Sequence, residues 1–433
     1  MESKPTCPAS LAPRPRLDEQ IDLGHPLVRL AALIDWQEIE RSFGAHFLSR
    51  RGRPALPARL VAGLLYLQHT FKASDEAVVQ TWVENPYWQY FTGETHLQTR
   101  APMDPSSLTR WRRRIGEEGV ELLLKLTIEA ARRGGFVGRD SFQRVIVDTT
   151  VMLKAVAYPT DSRLLEKSRQ HLLKAARAHG LKVRQSYART APRLAVQVGR
   201  YAHARQFRRM RTALRALRTR VGRVHREVSR QLGSLCESVR AKLGELLART
   251  GRILAQRPKD KGKLYALHAP EVECISKGKA ATPYEFGVKV SLSTLHREGF
   301  VVGMRSMPGN PYDGHTLPEA LEQVEILTGC KPTTAVVDKG FRGVEVEGVR
   351  VLRSGHKRGI TRPLKAMIKR RSAIEPAIGH MKTEGRLARN PLKGSLGDAI
   401  HAVLCGAGHN LRLLIARMRL DTAPVARRAA AAA

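Results

Sequence analysis

Two short runs of β-branched residues, each followed at once by an aspartate, constrain the fold of this chain most. The runs are Arg144-Val-Ile-Val-Asp148 and Thr333-Thr-Ala-Val-Val-Asp338. Such a run is typical of a buried strand, and a polar residue directly after it is expected at the tip of that strand. A third acid, Glu375, follows in a segment with helical periodicity. The sequence therefore predicts two strand-end acids and one helical acid in a fixed order.

The elements between these acids predict an α/β core. Tyr284 to Ser293 and Gly299 to Met307 alternate across a turn, which predicts a hairpin. Thr316 to Leu327 has the periodicity of an amphipathic helix, and a short strand is expected around Val349 to Leu352. The order strand, strand, strand, helix, strand, strand, helix is that of a ribonuclease-H-like catalytic core, a mixed sheet flanked by helices. In that fold the three acids face one another.

The chain divides into four predicted parts. Residues 1–135 contain several helical segments and predict an all-α N-terminal domain. Residues 140–160 and 264–420 form the predicted catalytic domain, and residues 161–263 are a long basic helical hairpin inserted into it. Residues 421–433 end in a run of alanines and are expected to form a disordered tail.

The predicted insertion carries most of the positive charge. The whole chain has 75 Lys and Arg against 39 Asp and Glu, a net charge of +36, and residues 163–263 alone have 28 against 5. Apolar residues from Leu214 to Leu246 recur every three or four positions, which predicts one long helix packed on a partner helix after a turn between Gly180 and Pro192. Such a charge excess indicates a polyanionic partner, so we interpret the insertion as a sequence-independent surface for DNA phosphates. The alternative is a dimerisation coiled coil, and the two roles are compatible.

The three acids have the chemistry of a metal site. Carboxylates brought together by folding repel unless a cation neutralises them, and ligands made only of oxygen favour Mg²⁺ or Mn²⁺. Two such ions are able to hold the attacking and the leaving oxygen of a phosphodiester displacement. We therefore predict Asp148, Asp338 and Glu375 as catalytic metal ligands. An isolated aspartate at a strand end is more often a capping residue, so the prediction depends on the three acids together.

The segment around Glu375 carries a known signature. In Arg371-Ser-Ala-Ile-Glu375-Pro-Ala-Ile-Gly-His-Met-Lys382, three residues separate Arg from Glu and six separate Glu from Lys. This resembles the Y-R-E-K signature of bacterial insertion-sequence transposases of the DDE class, although Ile368 replaces the tyrosine. Four further segments resemble other regions of that family: Val147-Asp148-Thr-Thr-Val, Val337-Asp338-Lys-Gly-Phe-Arg-Gly, Lys277-Gly-Lys and Pro283 to Val290.

The resemblance implies a metal-dependent enzyme that binds the terminal inverted repeats of an insertion element, cleaves the DNA and joins it to a target. It also implies that Arg371 and Lys382 contact phosphate near the cleaved bond. The alternative for Arg371 is a weak surface ion pair with Glu375. The expected partner is double-stranded DNA, both element ends and target, bound by a homodimer. The expected location is the bacterial cytoplasm, in association with the nucleoid.

A second DNA-contact region is predicted in the N-terminal domain. The basic helix Leu108-Thr-Arg-Trp-Arg-Arg-Arg-Ile follows two other helices, as in a helix-turn-helix module. Its Arg110, Arg112 and Arg113 are the candidate DNA contacts, and a basic solvent-exposed helix is the alternative. The aromatic residues between Trp82 and Phe91 more often form a small core than a surface for stacked bases.

Several other functions are disfavoured by the sequence. No G-x-x-x-x-G-K-[ST] loop is present, so no nucleotide cofactor is expected. A tyrosine recombinase needs a nucleophilic tyrosine near its C-terminus, whereas the last tyrosine is Tyr312. The five cysteines form no C-x-x-C pair, and no apolar run reaches the roughly 18 residues of a membrane span. The alternatives left open are a non-catalytic or domesticated DNA-binding protein and a structure-specific nuclease of the same fold.

Overall fold

The computed structural model describes residues 15–47, 56–276, 283–355 and 360–432. The segment Lys277-Gly-Lys, which contributes to the resemblance, lies outside the described residues. The strands are β1 (Arg144–Leu153), β2 (Glu273–Ser276), β3 (Tyr284–Leu295), β4 (Val301–Met307), β5 (Thr334–Val337) and β6 (Arg350–Arg353). The helices are α1 (Leu17–Gln20), α2 (Pro26–Leu33), α3 (Trp36–Phe47), α4 (Ala58–Thr70), α5 (Asp75–Glu84), α6 (Pro86–Phe91), α7 (Ser107–Arg133), α8 (Asp161–Ala178), α9 (Thr190–His203), α10 (Phe207–Arg230), α11 (Glu237–Ala255), α12 (Leu317–Thr328), α13 (Arg362–Lys369), α14 (Ile374–Thr383) and α15 (Gly394–Ala432).

All six described strands form one mixed sheet. Strand β1 pairs antiparallel with β3 on one side and parallel with β5 on the other, and β5 pairs parallel with β6. On its far side β3 pairs antiparallel with β2 at its start and with β4 along the rest of its length. The predicted hairpin is therefore confirmed as β3 and β4. The central strands are apolar on both faces, which is expected of a sheet covered on both sides.

Helices cover the two faces of the sheet. Gly303 of β4 lies against Val324 of α12, whereas Gly406 of α15 lies against Val301 and Met304 on the opposite face. Glycine at 406 brings the α15 backbone close to the strand, because an added Cβ would lie 3.0 Å from Val301. Thus α12 covers one face and α15 the other.

The N-terminal helices share their core with the sheet. One cluster of buried side chains runs without interruption from Leu27 through α7 and β1 to Met418 of α15. The predicted boundary near residues 135–140 therefore does not separate two cores. The aromatic residues Trp82, Trp88 and Phe91 are buried in this cluster, which confirms the small-core interpretation.

Helix α7 contains a break at Gly116, directly after the basic segment that begins at Leu108. Gly116 has φ 69° and ψ −166°, outside helical geometry. A positive φ of this kind favours glycine. The first part of α7 ends there, and the amphipathic second part continues to Arg133.

The insertion is a bundle of four helices, not the predicted hairpin. The apolar run assigned to one long helix is divided at 231–236, where Gly233 belongs to a single 3-10 turn, Leu232–Ser234, between α10 and α11. The predicted turn between Gly180 and Pro192 is present, and Gly180 has φ +69°. Two buried clusters, around Leu217 and around Val228, belong to the bundle and its return segment and are separate from the main core.

The last helix, α15, is long and contains an extended apolar stretch. Between Gly394 and Leu420 it has the length and composition of a membrane span, but 83% of its most apolar window is buried inside the protein. That burial is typical of the core helix of a soluble protein. The helix extends to Ala432 and so includes residues 421–432, which the sequence analysis assigns to a disordered tail.

Candidate active site

Asp148 and Asp338 are neighbours at one level of the sheet. Val147 and Val337 are partners in the parallel pairing of β1 with β5, so the two acids that follow them lie side by side. Asp338 is at the end of its strand, as predicted. Asp148 is not, because β1 continues to Leu153 while paired with β3.

Glu375 is held above these acids by a short anchored segment. A 3-10 turn, Arg370–Ala373, joins α13 to α14, and the Arg370 guanidinium donates to the backbone oxygens of His296 (2.7 Å) and Arg297 (2.5 Å) in the β3–β4 turn. Ile374, next in the chain, is 1% exposed in the main core. These contacts fix the first turn of α14 against the sheet.

One guanidinium contacts all three acids. Arg371 lies 3.1 Å from Asp148 and 3.2 Å from Glu375 through Nη2, and 3.4 Å from Asp338 through Nη1. The Arg371 side chain is 15% exposed. The three carboxylates predicted to converge therefore surround a single cationic group, and Arg371 is more than the surface partner of Glu375.

The two aspartates have opposite pKa shifts. Burial raises the pKa of Asp148 despite the Thr149 N–H and the Arg371 guanidinium, which favour its ionised form. Burial also acts to raise the pKa of Asp338, but the Lys339 backbone N–H, the Ser354 hydroxyl and the Arg371 charge together lower it. Asp338 is thus the more readily ionised of the pair.

Ser354 is a site residue that the sequence analysis missed. Its hydroxyl donates to Oδ1 of Asp338 at 2.8 Å, and its backbone N–H donates to the Val337 oxygen at 3.0 Å. The available signal was its position directly after β6, which runs parallel to β5. On the other face of β1, the Thr149 hydroxyl donates to Asp313, which is also paired with Lys289.

The donor set suits a hard divalent cation. Asp148 and Glu375 each place an oxygen within 3.2 Å of Nη2 of Arg371, and Asp338 contacts Nη1 of the same guanidinium. All three carboxylates therefore converge on one positive charge. Carboxylate oxygens are the ligands that Mg²⁺ and Mn²⁺ prefer. Asp338 and Glu375 are also accessible, with side chains 44% and 61% exposed. The residues present fit the predicted metal.

The predicted DNA contact of Arg112 is wrong. Arg112 is 3% exposed, and its guanidinium donates to Asp75 (2.5 Å) and Gln68 (2.8 Å) inside the N-terminal core. Its neighbours Arg110 and Arg113 are exposed on the same helix, so their predicted contacts are sterically open. The helical period explains the difference, because Arg112 is on the face that also buries Leu108 and Ile115.

The other signature positions lie on or beside α14. Lys382 is half-buried near the end of α14, and its DNA contact stays a prediction. Ile368, at the tyrosine position of the signature, packs partly buried against the main core. An apolar side chain therefore supports the anchored segment there.

A second group of possible metal ligands lies in the core. His69, His401 and Cys405 are buried with one donor atom of each within 4.8 Å of the others. Arg386 is a positive neighbour of all three, and burial first, then such charges, lowers the pKa of His401 to about 3. Burial raises the pKa of Cys405 to about 12. The positive charge of Arg386 beside all three donors disfavours a cation there, so we assign this group a structural role.

Comparison with known proteins gives two matches. Residues 15–114 match the family model described as Transposase domain (DUF772). A protein of Rhizobium meliloti, described as uncharacterized protein ORF8 in nfe locus, is 52% identical over 194 residues, which cover 45% of this chain and 93% of the relative. No solved structure matches the chain. The family model ends inside α7 and does not include the three acids.

Proposed function

Because the chain belongs to the same family as the Rhizobium meliloti ORF8 protein and carries a transposase domain, we propose that it is a DDE-class DNA transposase. It binds the terminal inverted repeats of its element and cleaves and joins DNA with Asp148, Asp338 and Glu375. The observation that carries the proposal is the convergence of these three acids on Arg371. They come from two strands and a later helix, far apart in the chain.

The sheet order also supports a ribonuclease-H-like core. Counting only β1, β3, β4, β5 and β6, the first strand is central, the second and third follow antiparallel on one side, and the fourth and fifth follow parallel on the other. This is the order that the sequence predicts for that core. Asp148 and Asp338 lie on or directly after adjacent central strands, where such a fold is expected to place its site.

The three carboxylates would hold Mg²⁺ or Mn²⁺, and two such ions are expected. When bound, the ions would supply the Lewis-acid chemistry of phosphodiester displacement. The chain's own groups prepare the site. Ser354 and the Lys339 N–H favour the ionised form of Asp338, and the anchored turn at Arg370 keeps Glu375 near the two aspartates. Arg371 is then positioned to pair with a DNA phosphate in place of a carboxylate, with Lys382 farther along the same segment.

The test uses purified full-length protein and a labelled duplex that carries the DNA flanking its own gene. With Mg²⁺ or Mn²⁺ we expect cleavage and joining, which Asp338→Asn abolishes while DNA binding persists. Glu325→Gln on α12 is the matched control, because this acid is exposed on the other side of the sheet. Cleavage by Asp338→Asn at the wild-type rate would contradict the assignment of the site.

The alternatives give different products in the same assay. A structure-specific nuclease would cut branched or hairpin DNA without joining ends. A non-catalytic DNA-binding protein would bind the duplex but would not cleave it with either metal ion. Homodimer formation on paired ends is expected for the transposase and is measured by the mass of the DNA complex.

A further inference from the structure

The strand that carries Asp148, β1, also leads into the insertion. Strand β1 carries Asp148 and continues to Leu153, about 16 Å farther at the usual rise of a strand. Lys154 follows, before the insertion begins, and its ammonium binds Glu271 (2.9 Å), which lies after the insertion, and Asp398 (2.6 Å) of α15. The two chain segments that flank the insertion are therefore held together.

The first insertion helix presents one row of positive charge, which we call the α8 row. Its members are exposed, and steps of four, seven and three residues place them on one face of α8. The row spans about 21 Å along the helix. It consists of Arg163, Lys167, Lys174 and Arg177.

No acid neutralises the α8 row in the part of the chain that the structure describes. Glu166 is turned inward and pairs with the buried Arg169 at 2.5 Å. Asp161 at the start of α8 forms no ion pair with a described residue. Four cations held on one rigid helix without counter-ions indicate a surface for an anion.

A groove lined by basic and aromatic side chains borders the α8 row. It lies between α8 and residues 265–268 and is lined in part by Tyr158, His171 and His268, with no acidic lining residue. Tyr158 is 59% exposed and stands edge-on to Phe286, 5.3 Å between ring centres. Partial burial first, and then the charges of Lys167, His268 and Lys174, lower the pKa of His171. Positive charge is therefore crowded at this groove.

We propose that the α8 row and its groove bind the phosphate backbone of duplex DNA next to the active site. This rests on the proposed function for the position of the cleaved bond, but not for the binding itself. We propose duplex DNA as the ligand because each of its strands carries one phosphate charge about every 3.4 Å. At that spacing, the α8 row spans roughly six base pairs. Helix α10 packs on α8, α9 and α11 and carries more arginines than α8 has cations. Most of these arginines are exposed, including Arg215 and Arg226, whereas Arg218 is partly buried and donates to the Gln256 oxygen.

The experiment measures binding of a random-sequence duplex to the full-length protein as salt is varied. Each phosphate contact contributes about 0.9 to the slope of log affinity against log salt. We expect Lys167→Gln with Lys174→Gln to lower that slope by about 1.8 and the affinity at physiological salt by roughly tenfold or more. The matched control is Lys331→Gln with Arg350→Gln, two exposed cations at the opposite end of the sheet, and should change neither.

A third double variant, Arg215→Gln with Arg226→Gln on α10, tests whether the DNA lies on α8 or on α10. An unchanged slope in the α8 pair, or a larger fall in the α10 pair, would overturn the proposal. Metal-dependent cleavage by the wild-type protein separates the two claims. Cleavage with an unchanged α8 slope leaves the transposase proposal standing, and a reduced slope without any cleavage leaves the DNA surface standing.

Discussion

Nη2 of Arg371 lies 3.1 Å from Oδ2 of Asp148, and this guanidinium is the only cation within ion-pair distance of all three acids among the described residues. Without bound metal, Arg371 therefore supplies the charge that offsets the repulsion between the carboxylates. A divalent cation at the same acids competes with it. Metal binding and the Arg371 ion pairs are expected to exclude one another.

Replacing Arg371 should show whether its guanidinium competes with a divalent metal ion for the three acids. In the absence of metal, Arg371→Gln leaves the carboxylates unpaired and is expected to lower stability by about 1–3 kcal/mol. Added Mg²⁺ or Mn²⁺ should then raise the melting temperature more in the variant than in the wild type. Thermal unfolding by circular dichroism measures both effects, with the exposed Lys369→Gln as control. Equal metal-induced shifts in the two proteins would show that Arg371 does not compete.

Removing the Ser354 hydroxyl should change how activity depends on pH. The pKa of Asp338 is lowered although burial opposes this, and Ser354 is one of the groups responsible. Ser354→Ala is expected to raise that pKa, so the acidic limb of metal-dependent cleavage moves to higher pH. The pH profile of cleavage measures the shift. Ser372→Ala, whose hydroxyl bonds only to the Lys369 oxygen, is the control and should leave the profile in place.

Arg112 and Arg113 should give opposite results although they are adjacent. Arg112→Ala leaves the partly buried Asp75 without its charged partner and is expected to lower the unfolding free energy by about 1–3 kcal/mol. Arg113→Gln, on the exposed face, is expected to leave stability unchanged and to weaken DNA binding. Urea unfolding and a binding titration distinguish them. If Arg112→Ala folds with wild-type stability, the buried ion pair has no structural role.

Three buried histidines should make the protein acid-sensitive. Burial lowers the pKa of His401 and His409 to about 3, and that of His69 well below its usual value. The unfolded chain binds these protons near pH 6.5 and the folded chain does not, so stability falls as pH drops below about 6.5. The loss is about 1.4 kcal/mol per pH unit for each histidine.

Urea unfolding between about pH 5 and 7 measures this slope. His409→Asn should lower this slope by the contribution of one proton. An unchanged slope in His409→Asn would mean that this histidine is protonated equally in both states.

The sequence predicted the elements that carry a strong local pattern. Apolar alternation located the β3–β4 hairpin, and the two β-branched runs located Asp148 and Asp338, because those signals depend on few residues. The α10–α11 break was missed because the apolar period continues across Gly233 and hides a short turn. The burial of Arg112 depends on Asp75 and Gln68, which are distant in the chain, and the position of Arg371 among three acids depends on the whole fold. Such contacts leave no local signal.

The attachment of the insertion at Lys154 has a consequence for how this protein is able to change. The two chain segments that flank the bundle are held together by a single buried ammonium, and the bundle packs around cores of its own. Insertions or deletions within the bundle are therefore expected to leave the pairing of β1 with β3, and hence the spacing of the acids, unchanged. The proposed DNA-binding surface is thus expected to vary in evolution without altering the proposed active site.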